Sequence, residues 1–195
     1  MIRALPIRII AAAAILVLLL VGVVVSENRA RAAGREVLLP MEAVDPRNLL
    51  TGHYVALQLT QQLGPGQACP KQTWGYKEGG WLGLKPADGH HRFVAVAQTR
   101  QAALSGGADV AVRGGVYCSR MAFGDTQTDA VTLDIGVDRF HADQDEALAI
   151  EKALRARRPG DASPPALVVV SVGQDGRARL KGLVVGGKRT DLTWW

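Results

Sequence analysis

Val44-Asp45-Pro46-Arg47-Asn48-Leu49-Leu50-Thr51-Gly52-His53-Tyr54-Val55-Ala56-Leu57 reads as a turn that feeds a strand. Asp45-Pro46 suits the first two positions of a type I turn, because the Asp carboxylate accepts backbone N–H bonds and Pro presets φ for the next position. Gly52 permits a positive φ just before Tyr54-Val55-Ala56-Leu57-Gln58-Leu59-Thr60. There Val55, Leu57 and Leu59 fall on one face and Tyr54, Ala56, Gln58 and Thr60 on the other, the period of a half-buried strand. The aliphatic face is expected to be core.

Outward from this strand the chain is punctuated like a β protein. Val37-Leu38-Leu39 reads as a strand ended by Pro40 and the Asp45-Pro46 break. Gln61 to Gly80 reads as loop, with Gly64-Pro65-Gly66 and Gly79-Gly80 as breaks. Trp81 to Lys85, Phe93 to Gln98, Val110 to Cys118 and Ala130 to Ile135 are short strand candidates separated by Gly or Asp, and so antiparallel. One amphipathic helix is expected: Asp143 at its cap with Glu146 three residues on, then Ala147, Ile150 and Leu154 on one face. Arg155, Arg157 and Arg158 suit its last turn, and Pro159-Gly160 ends it. Near the C-terminus, Ala166 to Val172 is apolar throughout and predicts a strand covered on both faces. Asp175-Gly176 is the pair that type I′ turns favour, Ala178 to Val185 returns, and Gly186-Gly187 offers a second tight turn. The fold class expected is therefore α+β and β-rich: a mainly antiparallel sheet, one packed amphipathic helix and a C-terminal β-hairpin meander.

The Asp45-to-Leu57 stretch resembles the signature of the GDYXXLXY family, membrane-anchored bacterial proteins named for a Gly-Asp-Tyr-x-x-Leu-x-Tyr run after an Asp-Pro-Arg-x-Leu-Leu segment. Gly52, Tyr54 and Leu57 match the run, and Asp45, Pro46, Arg47, Leu49 and Leu50 match the segment before it. His53 stands where the run has Asp, and Leu59 where it has the closing Tyr, so a metal contact or proton transfer by that acid does not carry over. The valine-rich strand, Asp-Gly turn and return to Lys188 resemble the end of the same family. The resemblance implies a topology and no established activity.

The 195 residues are 48% hydrophobic and 21% charged, enough for one domain with a real core. Aromatics are few, so Val, Leu and Ala must fill it. The net charge of +5 is spread along the chain, with no basic run longer than Arg157-Arg158 or Lys188-Arg189. No nucleic-acid surface is expected from such a distribution.

Ile9 to Val25 is an unbroken apolar run after Arg3 and Arg8. As a helix it extends about 26 Å, near the lower limit for a transmembrane span. A cleaved signal peptide is the competing reading, since Ala30-Arg31-Ala32 has small residues at the required spacing. The run is longer than a usual signal core, and Glu27, Arg29 and Arg31 crowd that site, which favours an uncleaved transmembrane anchor in contact with membrane lipid. The division read from sequence is residues 1–8 cytoplasmic, 9–25 transmembrane, 26–35 linker and 36–195 one extracytoplasmic domain. Arg3 and Arg8 nearly balance Arg29, Arg31 and Arg35, so charge leaves orientation open. The family resemblance implies a single-pass protein of the bacterial cytoplasmic membrane, with its N-terminus inside and its domain in the periplasm or outside the cell.

The candidate functional residues are Asp45, Pro46, Arg47, Leu50, Gly52, His53, Tyr54 and Leu57. Cys69 and Cys118, the two cysteines, either pair as a disulfide or stay buried in an oxidising compartment. They lack C-x-x-C spacing, which argues against a redox motif or a zinc knuckle. His90-His91 with Asp88 are ligand types, but neighbours on a strand point apart and no second cluster completes a metal site; an exposed polar turn is expected there. No Gly-x-Ser-x-Gly elbow, phosphate-cradling loop or cofactor motif is present, and no residue is assigned a catalytic role. Two functions follow. The leading one is a non-catalytic envelope module that binds another membrane or envelope protein; the resemblance adds that relatives are often encoded beside a multi-spanning membrane protein. The alternative is a divergent envelope hydrolase or ligand-binding domain using Asp45, Arg47 and Tyr54. Its layout is similar to type I signal peptidases, but Pro40 precedes Met41 where those enzymes place their serine.

Overall fold

The computed structural model describes residues 4–44, 54–63, 67–70, 79–123, 126–141, 144–155 and 166–192. Helix α1 (Ala4–Ala33) opens the chain and leads through Gly34 into β1 (Arg35–Pro40) and β2 (Glu42–Val44). The stretch predicted as a linker is helical as far as Ala33. The motif strand is β3 (Tyr54–Gln62), followed by β4 (Trp81–Ala87), β5 (His90–Ala97), the short α2 (Arg100–Ser105) and β6 (Val110–Arg113). Next come β7 (Gly115–Phe123), β8 (Thr126–Asp134), β9 (Arg139–His141) and α3 (Gln144–Arg155). The chain closes with β10 (Leu167–Val172), β11 (Ala178–Val185) and β12 (Lys188–Asp191).

Among the described residues every pairing is antiparallel, but the strands form three sheets rather than one. Their orders are β1-β10-β11-β12, β2-β3-β8-β7 with β9 also on β3, and β5-β4-β6. One apolar cluster joins all three, with Val37 and Leu39 from the first sheet, Leu59 and Val131 from the second, and Leu82 and Val112 from the third. As composition requires, Val and Leu dominate it, and Phe93 and Phe140 are its aromatic members. The chain is α+β and β-rich, as the sequence predicts, with α1 preceding the sheets.

Central strand β10 is buried at all six residues, which accounts for its apolar run. Ile150 and Leu154 of α3 are buried against the core, as their spacing predicts. Asp143 and the segment from Arg157 to Gly160, predicted to cap and end that helix, lie outside the described residues.

Four expectations are corrected. The run Val110 to Cys118 breaks at Gly114, because there the chain passes from the third sheet to the second; a Cβ on Gly114 would sit 2.5 Å from the Asp134 carbonyl oxygen. The loop read from Gln61 starts later, since Gln61 and Gln62 pair with Val131 and Ala130 of β8. Asp175-Gly176 is not a two-residue I′ turn: Gly176 has φ +76° but Asp175 is not left-handed. Instead Gly173 to Arg177 form a longer loop, in which Gly176 N–H donates to Gly173 O (3.0 Å) and Gly173 N–H to Arg177 O (3.2 Å). Both φ values are positive at Asp88-Gly89 (53° and 78°), which joins β4 to β5. Gly186-Gly187 also makes the predicted tight turn. Finally, α2 and β9 are absent from the sequence reading. Both are short, and α2 is signalled only by the Thr99 hydroxyl that accepts from Ala102 N–H.

Candidate functional site

The motif strand is the hub of the second sheet. One edge of β3 takes β2, with Ala43 opposite Leu57, and the other takes β9 and then β8. Tyr54 lies opposite His141 and Val55 opposite Phe140, and Leu57 N–H donates to Asp138 O across the β8–β9 connection (2.9 Å). Leu57 and Leu59 are buried, as their alternation predicts. Asp45, Pro46, Arg47, Leu50, Gly52 and His53 lie outside the described residues, so among the motif positions Tyr54 and Leu57 are the two the structure places.

Farther along the same face a polar residue interrupts the apolar row. Gln61 follows Leu57 and Leu59 at the strand period and is buried, 8% exposed. Its Nε2 donates to His91 O (3.1 Å), and its Oε1 accepts from Phe93 N–H (2.8 Å), so the amide takes the place of a neighbouring strand along the edge of β5. The His91 ring does the same for β1: Nδ1 accepts from Leu38 N–H (3.2 Å). Gln61 of the second sheet thus holds the edge strand β5 of the third, and His91 of β5 holds the edge strand β1 of the first. The sequence signal was a glutamine in an aliphatic row, and the expectation of an exposed histidine turn missed it. His91 is 8% exposed on β5, while half-buried His90 turns to Asp88 O and Arg92 holds the Asp88 carboxylate (2.9 Å). Among the described residues no three His, Cys, Asp or Glu side chains gather as a metal site would require.

Burial, and then the nearby Arg35, hold the His91 imidazole below its ordinary pKa of 6.5. The ring is therefore neutral at pH 7, as an acceptor at Nδ1 must be. Because the folded pKa is depressed, the unfolded chain binds the proton more readily, and stability falls as pH drops below about 6.5. One such proton gives a slope of at most about 1.4 kcal/mol per pH unit. Urea unfolding of the intact chain in detergent micelles between pH 8 and pH 5 should show this decline, and His91→Gln should flatten it. Parallel curves for the two proteins would contradict the assignment.

A second arrangement joins α1 to the first sheet. Arg179 of β11, its side chain only 9% exposed, forks onto Glu27 of α1 and Asp175 of the β10–β11 loop. One turn later Arg31 Nη2 donates to Leu192 O (2.9 Å). Glu36, the second residue of β1, receives Lys181 (3.0 Å) and Arg189 (2.7 Å), and Arg189 also holds Asp191 (2.8 Å). The Arg189 hydrogen bond is the main cause that lowers the Glu36 pKa to about 2, and Arg179 likewise lowers that of Asp175. Nothing in the sequence signals these pairs, since Glu27 and Arg179 lie 152 residues apart.

Cys69 and Cys118 are joined as a disulfide, with Cα atoms 5.9 Å apart. The bridge ties the 67–70 segment to β7, and both cysteines pack against the core.

No curated protein and no solved structure matches the chain. A sequence profile described as GDYXXLXY protein matches residues 16–183, from within α1 to β11. A match over that share of the chain shows descent rather than a shared short motif, and the protein belongs to the GDYXXLXY family.

Proposed function

We propose that this protein is a single-pass accessory module of the bacterial envelope, non-catalytic, whose domain binds another membrane or envelope protein. In this reading α1 crosses the cytoplasmic membrane with its N-terminus inside, and residues 36–195 fold outside. The observation that carries it is the junction: α1 is not tethered by a loose linker but latched to the first sheet through Glu27–Arg179 and Arg31–Leu192. A domain held at fixed height and angle over a bilayer meets a membrane partner with little orientational freedom left to lose, which favours weak but specific contacts. The apolar side chains of α1 from Ile7 to Val25 are exposed, in keeping with a lipid-facing segment. A Cys69–Cys118 bridge suits an oxidising compartment.

The partner contact is assigned to the motif segment Asp45, Pro46, Arg47, Leu50, Gly52 and His53 that precedes Tyr54 in the sequence, while buried Leu57 serves the core. Crosslinking in intact membranes followed by mass spectrometry should recover one membrane or envelope protein attached to residues 36–195, and Arg47→Ala should reduce its yield. Recovery of lipid and self contacts alone would reject the proposal.

A further inference from the structure

We infer that the β10–β11 loop, with Arg177, Arg113 and Trp81 at its side, rests on the anionic phospholipid headgroups of the bilayer that α1 crosses. The inference builds on the membrane-spanning reading of α1. Glu27 lies two residues beyond Val25, about 3 Å along the helix axis from the end of the apolar run. Arg179 donates from Nε to Glu27, from Nη1 to Asp175 and from Nη2 to both, which sets the loop at the depth where the hydrocarbon ends. The Arg31–Leu192 bond lies one helical turn on, so the direction from Leu192 back to Asp175 is the direction toward the membrane. Strand β11 runs from this loop to the Gly186-Gly187 turn, over about 25 Å, and places Lys188 at the far end.

The chemistry at the near end fits a headgroup layer. The half-buried Trp81 indole packs on Gly176, where a Cβ would collide with the ring. Arg113 lies over that ring, 5.2 Å from its centroid, and its backbone N–H donates to Gly176 O (2.7 Å). Trp and Arg are the side chains that favour a membrane–water interface, one for its amphipathic ring and the other for lipid phosphate. The carboxylates of Glu27 and Asp175 beside the loop are both engaged by Arg179, whereas the Arg29, Arg113 and Arg177 side chains are exposed. Among the described residues beside the loop, the groups free to face outward are therefore mainly cationic.

The full-length chain, carrying one maleimide nitroxide label per sample, is reconstituted in two kinds of vesicle. One is phosphatidylcholine with phosphatidylglycerol, the other phosphatidylcholine alone. The label positions are L16C in α1, Q174C in the loop and K188C at the far turn, and the readout is collision with an aqueous nickel chelate. In phosphatidylglycerol vesicles we expect the L16C label to be shielded and the Q174C label to collide about threefold less than the K188C label, with a weaker contrast in phosphatidylcholine. If the L16C label is shielded but Q174C and K188C labels collide alike, the loop does not rest on the bilayer although the anchor stands. Equal shielding of Q174C in both vesicles would remove the anionic headgroup from the proposal. An accessible L16C label would overturn the anchor and the inference together.

Discussion

Phe140→Ala should lower the stability of the protein by about 3–5 kcal/mol, the usual cost of removing a buried phenyl ring from a packed core. Phe140 is 1% exposed and heads the fully buried side chains by volume. It sits in the middle of β9, a strand of three residues that pairs, among the described residues, with β3 alone. Opposite it is Val55 of the motif strand, so the void would open against the start of β3. Relaxation of β9 would also put at risk the backbone pairing at Tyr54 and Ala56. Urea unfolding in detergent micelles, followed by tryptophan fluorescence, measures the loss. A typical domain is stable by about 5–15 kcal/mol, so the midpoint should fall far below that of the parent. Phe140→Leu retains most of the volume and should cost less than about 1.5 kcal/mol. A loss below about 1 kcal/mol for the alanine variant would mean that β9 is not part of the core.

Replacing both Cys69 and Cys118 with alanine should cost about 4 kcal/mol, a figure that follows from chain entropy across a sequence separation of 49 residues. The bridge closes a loop that contains β4, β5, α2 and β6, the whole of the third sheet. Without it the unfolded chain regains the freedom of that loop, while the folded state loses the tie between the 67–70 segment and β7. Unfolding of the double variant, compared with the parent under oxidising and reducing conditions, separates the two contributions. The parent treated with reductant should approach the variant, and the variant should not respond to reductant. If the double variant unfolds at the parent's urea midpoint, the bridge contributes nothing to stability.

What the sequence determined by itself is the set of features that depend on near neighbours along the chain. Alternation placed Leu57 and Leu59 inside, the all-apolar run marked β10 as central, and helical spacing put Ile150 and Leu154 on the buried side of α3. An uninterrupted run without a polar face marked α1, and the motif around Tyr54 named the family. Each signal is local, because side-chain direction follows from the backbone period of the element that carries it. Tertiary structure alone decided how those elements divide into three sheets and what holds them together. The Gly114 crossing turns one apparent strand into parts of two sheets, and β9 exists because Phe140 fills a space that distant residues define. The Gln61–His91 clasp and the Glu27–Arg179 latch join groups that the chain separates by 30 and 152 residues. A polar side chain carries the same letter whether water or a strand edge is its partner, and only folding brings that partner within hydrogen-bond reach.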